Sequence, residues 1–310
     1  MPPPTSILLL GAGELGTQIL NHLTTHPQRS EVQRIALLLR PSSITSNDPT
    51  KQASMKEYAK ARIDLIPGDL ATESAAHLAS LFAPFDTVVS CAGMTLPRGT
   101  QMKISRAVLE AGVKRYVPWQ FGLDYDAIGR ASAQDFFDEQ LDVRDLLRGQ
   151  AGATEWVVVS TGMFLSFLFE RAFGVVDLGL PGGGVRALGG WENELVVTTV
   201  EDVGRIVAEI ALMGEEERGV VYVAGDVVSM WRLADVVEMA LGRSVKRSVG
   251  TVEQLERELE EDPGDAMRKY RAVFAAGVGV SWDLKETFNF RHDMRTVSVE
   301  EWARQNLKAP

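Results

Sequence analysis

From Ser6 to about Thr161 the chain alternates short, β-branched apolar runs with longer segments of helical period. Runs without in–out alternation are the pattern of strands buried on both faces, and helix-length spacers between them predict repeated β–α–β units around a parallel sheet. The predicted strands are Ile7–Leu10, Ile35–Arg40, Ile63–Pro67, Thr87–Ala92, Tyr116–Trp119 and Trp156–Ser160. After Thr161 the rhythm changes. A glycine-rich turn is expected over Leu180–Gly190, a strand over Leu195–Thr199, and a helix from Glu201 to Met213 with Val203, Ile206, Val207 and Ile210 on one face. Further on the pattern predicts a strand at Val220–Ala224 and helices near Trp231–Leu241, around Val252–Glu261 and near Val299–Leu307. Ser42–Lys51, rich in Ser, Thr, Asn and Pro, reads as an exposed, mobile loop.

Composition narrows the class. Of 310 residues, 45% are hydrophobic and 24% charged, an ordinary globular balance. The 32 basic and 42 acidic residues leave a net charge of −10, which repels a nucleic-acid backbone. Lys103, Lys114, Arg115, Arg144 and Arg148 are scattered among acids and read as solvated helix faces rather than a basic patch. The longest apolar stretch, Trp156–Phe169, is interrupted by Ser160, Thr161, Gly162 and Ser166 and falls short of the ~20 residues of a spanning helix, so no membrane role is expected. Cys91, the single cysteine, and a start without a cationic leader predict a cytoplasmic location. The histidines, His22, His26, His77 and His292, have no metal-ligand spacing, and the hydrolase elbow GxSxG is absent.

One motif carries chemistry. Gly11-Ala12-Gly13-Glu14-Leu15-Gly16 follows the first strand and precedes the helical pattern Gln18-Ile19-Leu20-Leu23, the order a dinucleotide-binding turn requires. Gly11 allows the tight turn, Gly13 lets a pyrophosphate approach the backbone, and Gly16 lets the helix pack on the strand. Arg40 closes the second strand where NAD enzymes carry an acid, and its cation suits the 2′-phosphate of NADP(H). Gly68-Asp69-Leu70 and Ser90-Cys91-Ala92-Gly93, at two further strand ends, either line the same crevice or are ordinary turns. The expected fold is therefore α/β: a Rossmann-type doubly wound sheet over 1–161, with parts of 190–225 returning to it, and a smaller α+β substrate lobe over 162–310.

These motifs, with Lys114-Arg115-Tyr116-Val117-Pro118-Trp119-Gln120-Phe121-Gly122, Phe137–Arg144, Ser160-Thr161-Gly162-Met163-Phe164 and Val200–Arg205, resemble the NmrA-like and isoflavone-reductase-like branch of atypical short-chain dehydrogenases. The resemblance covers nearly the whole chain and implies an NADPH-dependent reductase of a medium-sized organic molecule in specialised metabolism. Its reductases carry a catalytic lysine in the segment matching Phe137–Arg144, and here Gln140 takes that place. No lysine lies between Lys114 and Lys246, and none of the five tyrosines has a lysine four residues on, so the usual proton donor is missing. An amide can hydrogen-bond an oxyanion but cannot protonate it.

Candidate catalytic or polarising residues are therefore Gln140, Asp124 and Tyr125, with helix capping and surface exposure as the alternative for the last two. Trp119 stands where relatives carry a small hydroxyl residue, and it either stacks on the nicotinamide or fills the pocket floor. Gln120, Phe121, Met163 and Phe164 are candidate substrate contacts, and Met163, Phe164, Phe167, Leu168 and Phe169 serve equally well as core. The substrate is a C=N, C=C or C=O compound, with C=N favoured because an iminium takes hydride without a proton. Two other readings stay open: an NmrA-like dinucleotide sensor with a protein partner and no turnover, and a non-redox cyclase or isomerase that retains the cofactor. A homodimer is an open option under each.

Overall fold

Through residue 160 the chain runs β1 (Ser6–Leu10), α1 (Glu14–Thr25), β2 (Arg34–Leu39), α2 (Pro41–Ile44), α3 (Pro49–Lys60), β3 (Asp64–Pro67), α4 (Ala75–Phe82), β4 (Thr87–Ser90), α5 (Thr100–Glu110), β5 (Arg115–Val117), α6 (Tyr125–Ile128), α7 (Phe136–Gly149) and β6 (Glu155–Ser160). It continues through β7 (Met163–Phe164), β8 (Gly184–Leu188), β9 (Glu194–Thr198), α8 (Val200–Leu212), β10 (Gly219–Tyr222), β11 (Asp226–Ser229), α9 (Met230–Leu241), β12 (Lys246–Gly250), α10 (Val252–Glu261), α11 (Ala266–Ala276), α12 (Phe288–Arg291) and α13 (Val299–Asn306). This is a computed structural model, and it describes residues 4–93, 96–152, 154–179, 183–213 and 217–307. The chain forms two units: one of Met1–Gln120, Glu139–Val159 and Val203–Val221, the other of Phe121–Asp138, Ser160–Asp202 and Tyr222–Pro310.

The seven-stranded sheet has the order β10-β6-β5-β4-β1-β2-β3. β1 is its centre: Leu9 lies opposite Leu37 of β2 and Val89 of β4, both in parallel register. Ile7–Leu10 are wholly buried, which is why β1 reads as an unbroken apolar run. After β3 at one edge the chain returns to the other side of β1, and this reversal opens a crevice at the carboxyl ends of β1 and β4. Phe82, Phe85, Val108, Tyr116 and Leu147 pack into one apolar cluster with Leu8, Leu10 and Val88. The fold is the expected Rossmann-type doubly wound sheet.

The second unit is α+β. Its sheet has the order β11-β9-β7, and β8 pairs with β12 in parallel. An aromatic chain forms part of its core, with ring centroids 4.7 Å apart for Phe167 and Phe173 and 5.8 Å for both Phe167–Tyr270 and Phe173–Phe274. Phe169 stacks on Trp302 at 4.5 Å, so Phe167 and Phe169 pack against other aromatic rings. Capping boxes at Thr251/Gln254 and Ser298/Glu301 start α10 and α13.

Several segments differ from the sequence reading. Ser42–Lys51 is largely exposed, with Ser43, Ile44 and Ser46 half-buried, and holds the end of α2 and the start of α3. Asp48 caps α3 by accepting from Lys51 N–H, with Pro49 at the first helical position. Within Leu180–Gly190, residues 184–188 form β8 rather than a turn, and residues 180–182 lie outside the described residues. Gly184 serves close strand approach there, since a Cβ would sit 2.0 Å from the Lys246 carbonyl oxygen. β4 and β5 stop two residues short of the expected Ala92 and Trp119, and those residues leave the ladder at the crevice. Among the described residues no helix is long and apolar enough to cross a membrane.

Candidate functional site

Three loops at the carboxyl ends of β1, β4 and the edge strand β3 are held level by hydrogen bonds that continue the sheet. Gly11 N–H donates to the Leu38 carbonyl (3.1 Å), Cys91 N–H to Leu10 (3.0 Å) and Gly68 N–H to Leu39 (2.9 Å). Gly11 has φ +94°, a conformation that L side chains rarely adopt. A Cβ on Gly16 would lie 2.3 Å from the Gly11 carbonyl oxygen, so the start of α1 packs directly on the turn. Gly13 is the N-cap of α1 and no side chain caps the helix there. A Cβ on Gly13 would meet nothing within 4 Å, so the first-turn amides lie beside open space that can receive an anion.

That space is a cavity of about 540 Å³ lined by residues of the first unit. Nine expected cofactor residues line it: Gly11, Gly13, Arg40, Asp69, Leu70, Cys91, Ala92, Gly93 and Trp119. Glu14, Leu15 and Gly16 do not; Glu14 is exposed in the first turn of α1, Leu15 is core and Gly16 packs the turn. Arg40 is exposed at the N-cap of α2, and Ser43, whose N–H donates to the Arg40 carbonyl (2.8 Å), lines the same wall. No ion pair among the described residues involves Arg40. Burial in apolar surroundings pushes the Cys91 thiol up to about 12, so Cys91 is a neutral wall residue. Sequence reasoning did not single out Leu38, Leu39, Ala71, Leu96 and Pro97, apolar residues whose types signal no chemistry.

Polar contacts fix the cavity rim. Asp69 accepts from Ala71 N–H (2.9 Å), while Lys103 donates to the Ala71 and Glu73 carbonyls (both 2.9 Å). Gln101 donates its amide to the Ala92 carbonyl (2.9 Å). Glu139 accepts from Gly99 N–H (3.0 Å) and Gln101 N–H (2.9 Å), a carboxylate from α7 capping the positive end of α5. The signal for that role was Gly99, an N-cap without a side chain to do the capping.

At the end of β5, the ring atoms shared by both rings of Trp119 lie 1.9 Å from the position of a Cβ on Gly93. The next residue, Gln120, is 1% exposed, donates to the Gln140 carbonyl (2.9 Å) and accepts from Arg144 Nε (2.8 Å). The Gln120 amide thus fastens β5 to α7. Gln140 is wholly buried, and neither end of its side-chain amide has a hydrogen-bond partner among the described residues.

The remaining candidates belong to the second unit and do not line this cavity. Asp124 caps α6, accepting from Ala127 N–H (3.2 Å), and accepts from the Tyr222 hydroxyl (2.8 Å). Tyr125 is buried with its ring 4.6 Å from Phe137, and its hydroxyl is close enough that a Cβ on Gly122 would lie 2.4 Å away. Phe121 is buried; Met163, also buried, lies opposite Val197 in β7, and Phe164 is half-buried.

A doubly wound sheet with a glycine turn opening onto a polar-edged crevice defines a Rossmann-type protein. The chain matches the NmrA-like family over residues 4–305 and belongs to it. It is 44% identical over 302 residues to an NmrA-like family domain-containing oxidoreductase of Gibberella moniliformis (strain M3125 / FGSC 7600), covering 96% of each chain. It is 26% identical to the isoflavone reductase homolog IRL of Zea mays, covering 82% of this chain and 79% of that one. In fold it is similar to AtPrR2 solved with NADP+ and (+)pinoresinol, with a TM-score of 0.79 at 18% identity over 98% and 99% of the two chains.

Proposed function

We propose that this protein is an NADP(H)-dependent reductase of a medium-sized organic substrate. The observation that carries the reading is the convergence, in one cavity, of the uncapped α1 N-terminus at Gly13 with the Arg40–Ser43 wall. The residues fit the cofactor: Gly11 and Gly13 leave room for a pyrophosphate, and Arg40 can pair with a 2′-phosphate that NADH lacks. Asp69 and Leu70 flank the adenosine end. NADPH, when bound, supplies a hydride from C4 of its nicotinamide. The oxidoreductase name of the 44%-identical relative supports the same class.

This chain's residues limit what can be reduced. Gln140 and Cys91 supply no proton at neutral pH: one is an amide, the other a thiol whose pKa burial raises. A C=N substrate that arrives protonated needs no donor in the hydride step, so an imine is the favoured class over a ketone or an enone. Asp124 and Tyr125 remain candidates for holding such a cation, although Asp124 already caps α6 and bonds Tyr222. The missing acid also favours a second reading, a dinucleotide sensor or non-redox enzyme that keeps the cofactor without turnover. Following NADPH absorbance against matched cyclic imines, enones and ketones separates them. Oxidation by the imine ahead of its ketone is expected of the reductase, and binding without oxidation by any of the three would transfer the assignment to the second reading.

A further inference from the structure

Gly93 has no backbone reason to be glycine, since it is not among the residues with positive φ. Its reason is Trp119. A Cβ there would fall 1.9 Å from both atoms of the bond shared by the two indole rings and 2.4 Å from a third ring atom, so the added atom would sit over the ring face. One face of the indole therefore lies on the Gly93 backbone. Trp119 is half-buried and lines the cavity beside Gly93.

The position along the crevice says which part of a dinucleotide meets that surface. Arg40 and Ser43 follow β2, and the pyrophosphate turn follows β1. The sheet order β4-β1-β2 leaves the remaining half of the cofactor to run the other way, over the ends of β4 and β5, where Gly93 and Trp119 lie. We propose, on the basis of the NADP(H) reading above, that Trp119 is the stacking platform for the nicotinamide ring. Gln120, clamped by Gln140 and Arg144, fixes the backbone beside it. An indole face is electron-rich, and the oxidised nicotinamide is a cationic ring while the reduced one is neutral. Stacking on Trp119 therefore favours NADP+ over NADPH relative to an aliphatic residue at the same place.

The test uses the full-length protein and the variants Trp119→Leu and Trp119→Phe, both smaller than the indole and free of any clash with Gly93. Calorimetry with NADP+, NADPH and 2′-phospho-ADP-ribose, which lacks the nicotinamide, is paired with tryptophan emission. In the wild type NADP+ quenches a share of the emission that both variants lack, and the nicotinamide-free probe binds without that quenching. Trp119→Leu weakens NADP+ by roughly two- to thirty-fold and NADPH by less, Trp119→Phe recovers most of the loss, and the nicotinamide-free probe binds all three proteins alike. Unchanged NADP+ affinity in Trp119→Leu with unchanged quenching overturns the stacking role while leaving the cofactor assignment standing. Absence of NADP(H) binding to the wild type, by contrast, overturns both.

Discussion

At the phosphate end of the crevice, the chain relies on local backbone geometry, whereas at the β4–β5 end it relies on contacts between residues far apart in sequence. Gly11, Gly13 and Gly16 make a turn within six residues, and Arg40 directly follows the strand that delivers it. By contrast, Trp119 rests on Gly93, Glu139 reaches 40 residues back to Gly99, and Arg144 reaches 24 back to Gln120. The first end resembles any Rossmann-type protein because backbone atoms define it. The second is where a chain becomes particular, because side chains define it and can be exchanged.

The largest expected effect is at the local end. In Gly16→Ala the new Cβ would lie 2.3 Å from a backbone oxygen, which no side-chain rotation relieves. Urea unfolding is expected to show a loss of about 3 kcal/mol or more. Stability within ~0.5 kcal/mol of wild type would mean that the turn is not held as described. Next is Arg40→Ala, expected to weaken NADPH about 10- to 150-fold, the value of a charge-assisted hydrogen bond, with NADH nearly unchanged. An equal loss for both cofactors would remove Arg40 from the 2′-phosphate.

At the long-range end the effects are smaller and coupled. Gly93→Ala should cost about 1–3 kcal/mol by overpacking, and Trp119→Ser in the same chain should recover most of it. Simple additivity of the two changes would show that they do not touch. Gln140→Leu should raise the thermal midpoint, because leaving a buried amide unsatisfied costs about 1–3 kcal/mol, while turnover falls if the amide serves the substrate. A lower midpoint with retained turnover would mean that Gln140 is an ordinary core residue.

The centre of the sheet was legible in the sequence because β1, β2 and β4 are buried on both faces. Ile7–Leu10 and Trp156–Ser160 read as strands from their apolar runs, and each was misjudged by one residue at its start. The glycine turn and Arg40 were legible because each is a local requirement on the chain. Gln101 and Glu139 were not, and Arg115 and Arg144, read as solvated, are buried. Capping α5 and clamping Gln120 depend on α7 packing beside them, which no spacing encodes. β8 was hidden for another reason: Gly184 marks close strand approach, yet its neighbours made it look like a turn. Asp124 and Tyr125 looked chemical, but each has a structural use: the aspartate caps α6 and the tyrosine packs on Phe137.

The smallest effect concerns Cys91. Its raised pKa stabilises the fold only while the thiol is neutral, so this contribution is intact below about pH 8.5 and declines as pH rises toward 12. Cys91→Ala should flatten that share of the alkaline limb in a pH series of thermal unfolding, with little change at pH 7. An identical alkaline limb in both proteins would place the thiol in water.

The most direct test of the account is calorimetric titration of the wild-type protein with NADPH and with NADH under the same salt. One site per chain is expected, with NADPH bound at least about tenfold more tightly than NADH, the least that one charge-assisted contact to the 2′-phosphate provides. Equal affinities, tighter NADH or no binding of either would contradict it.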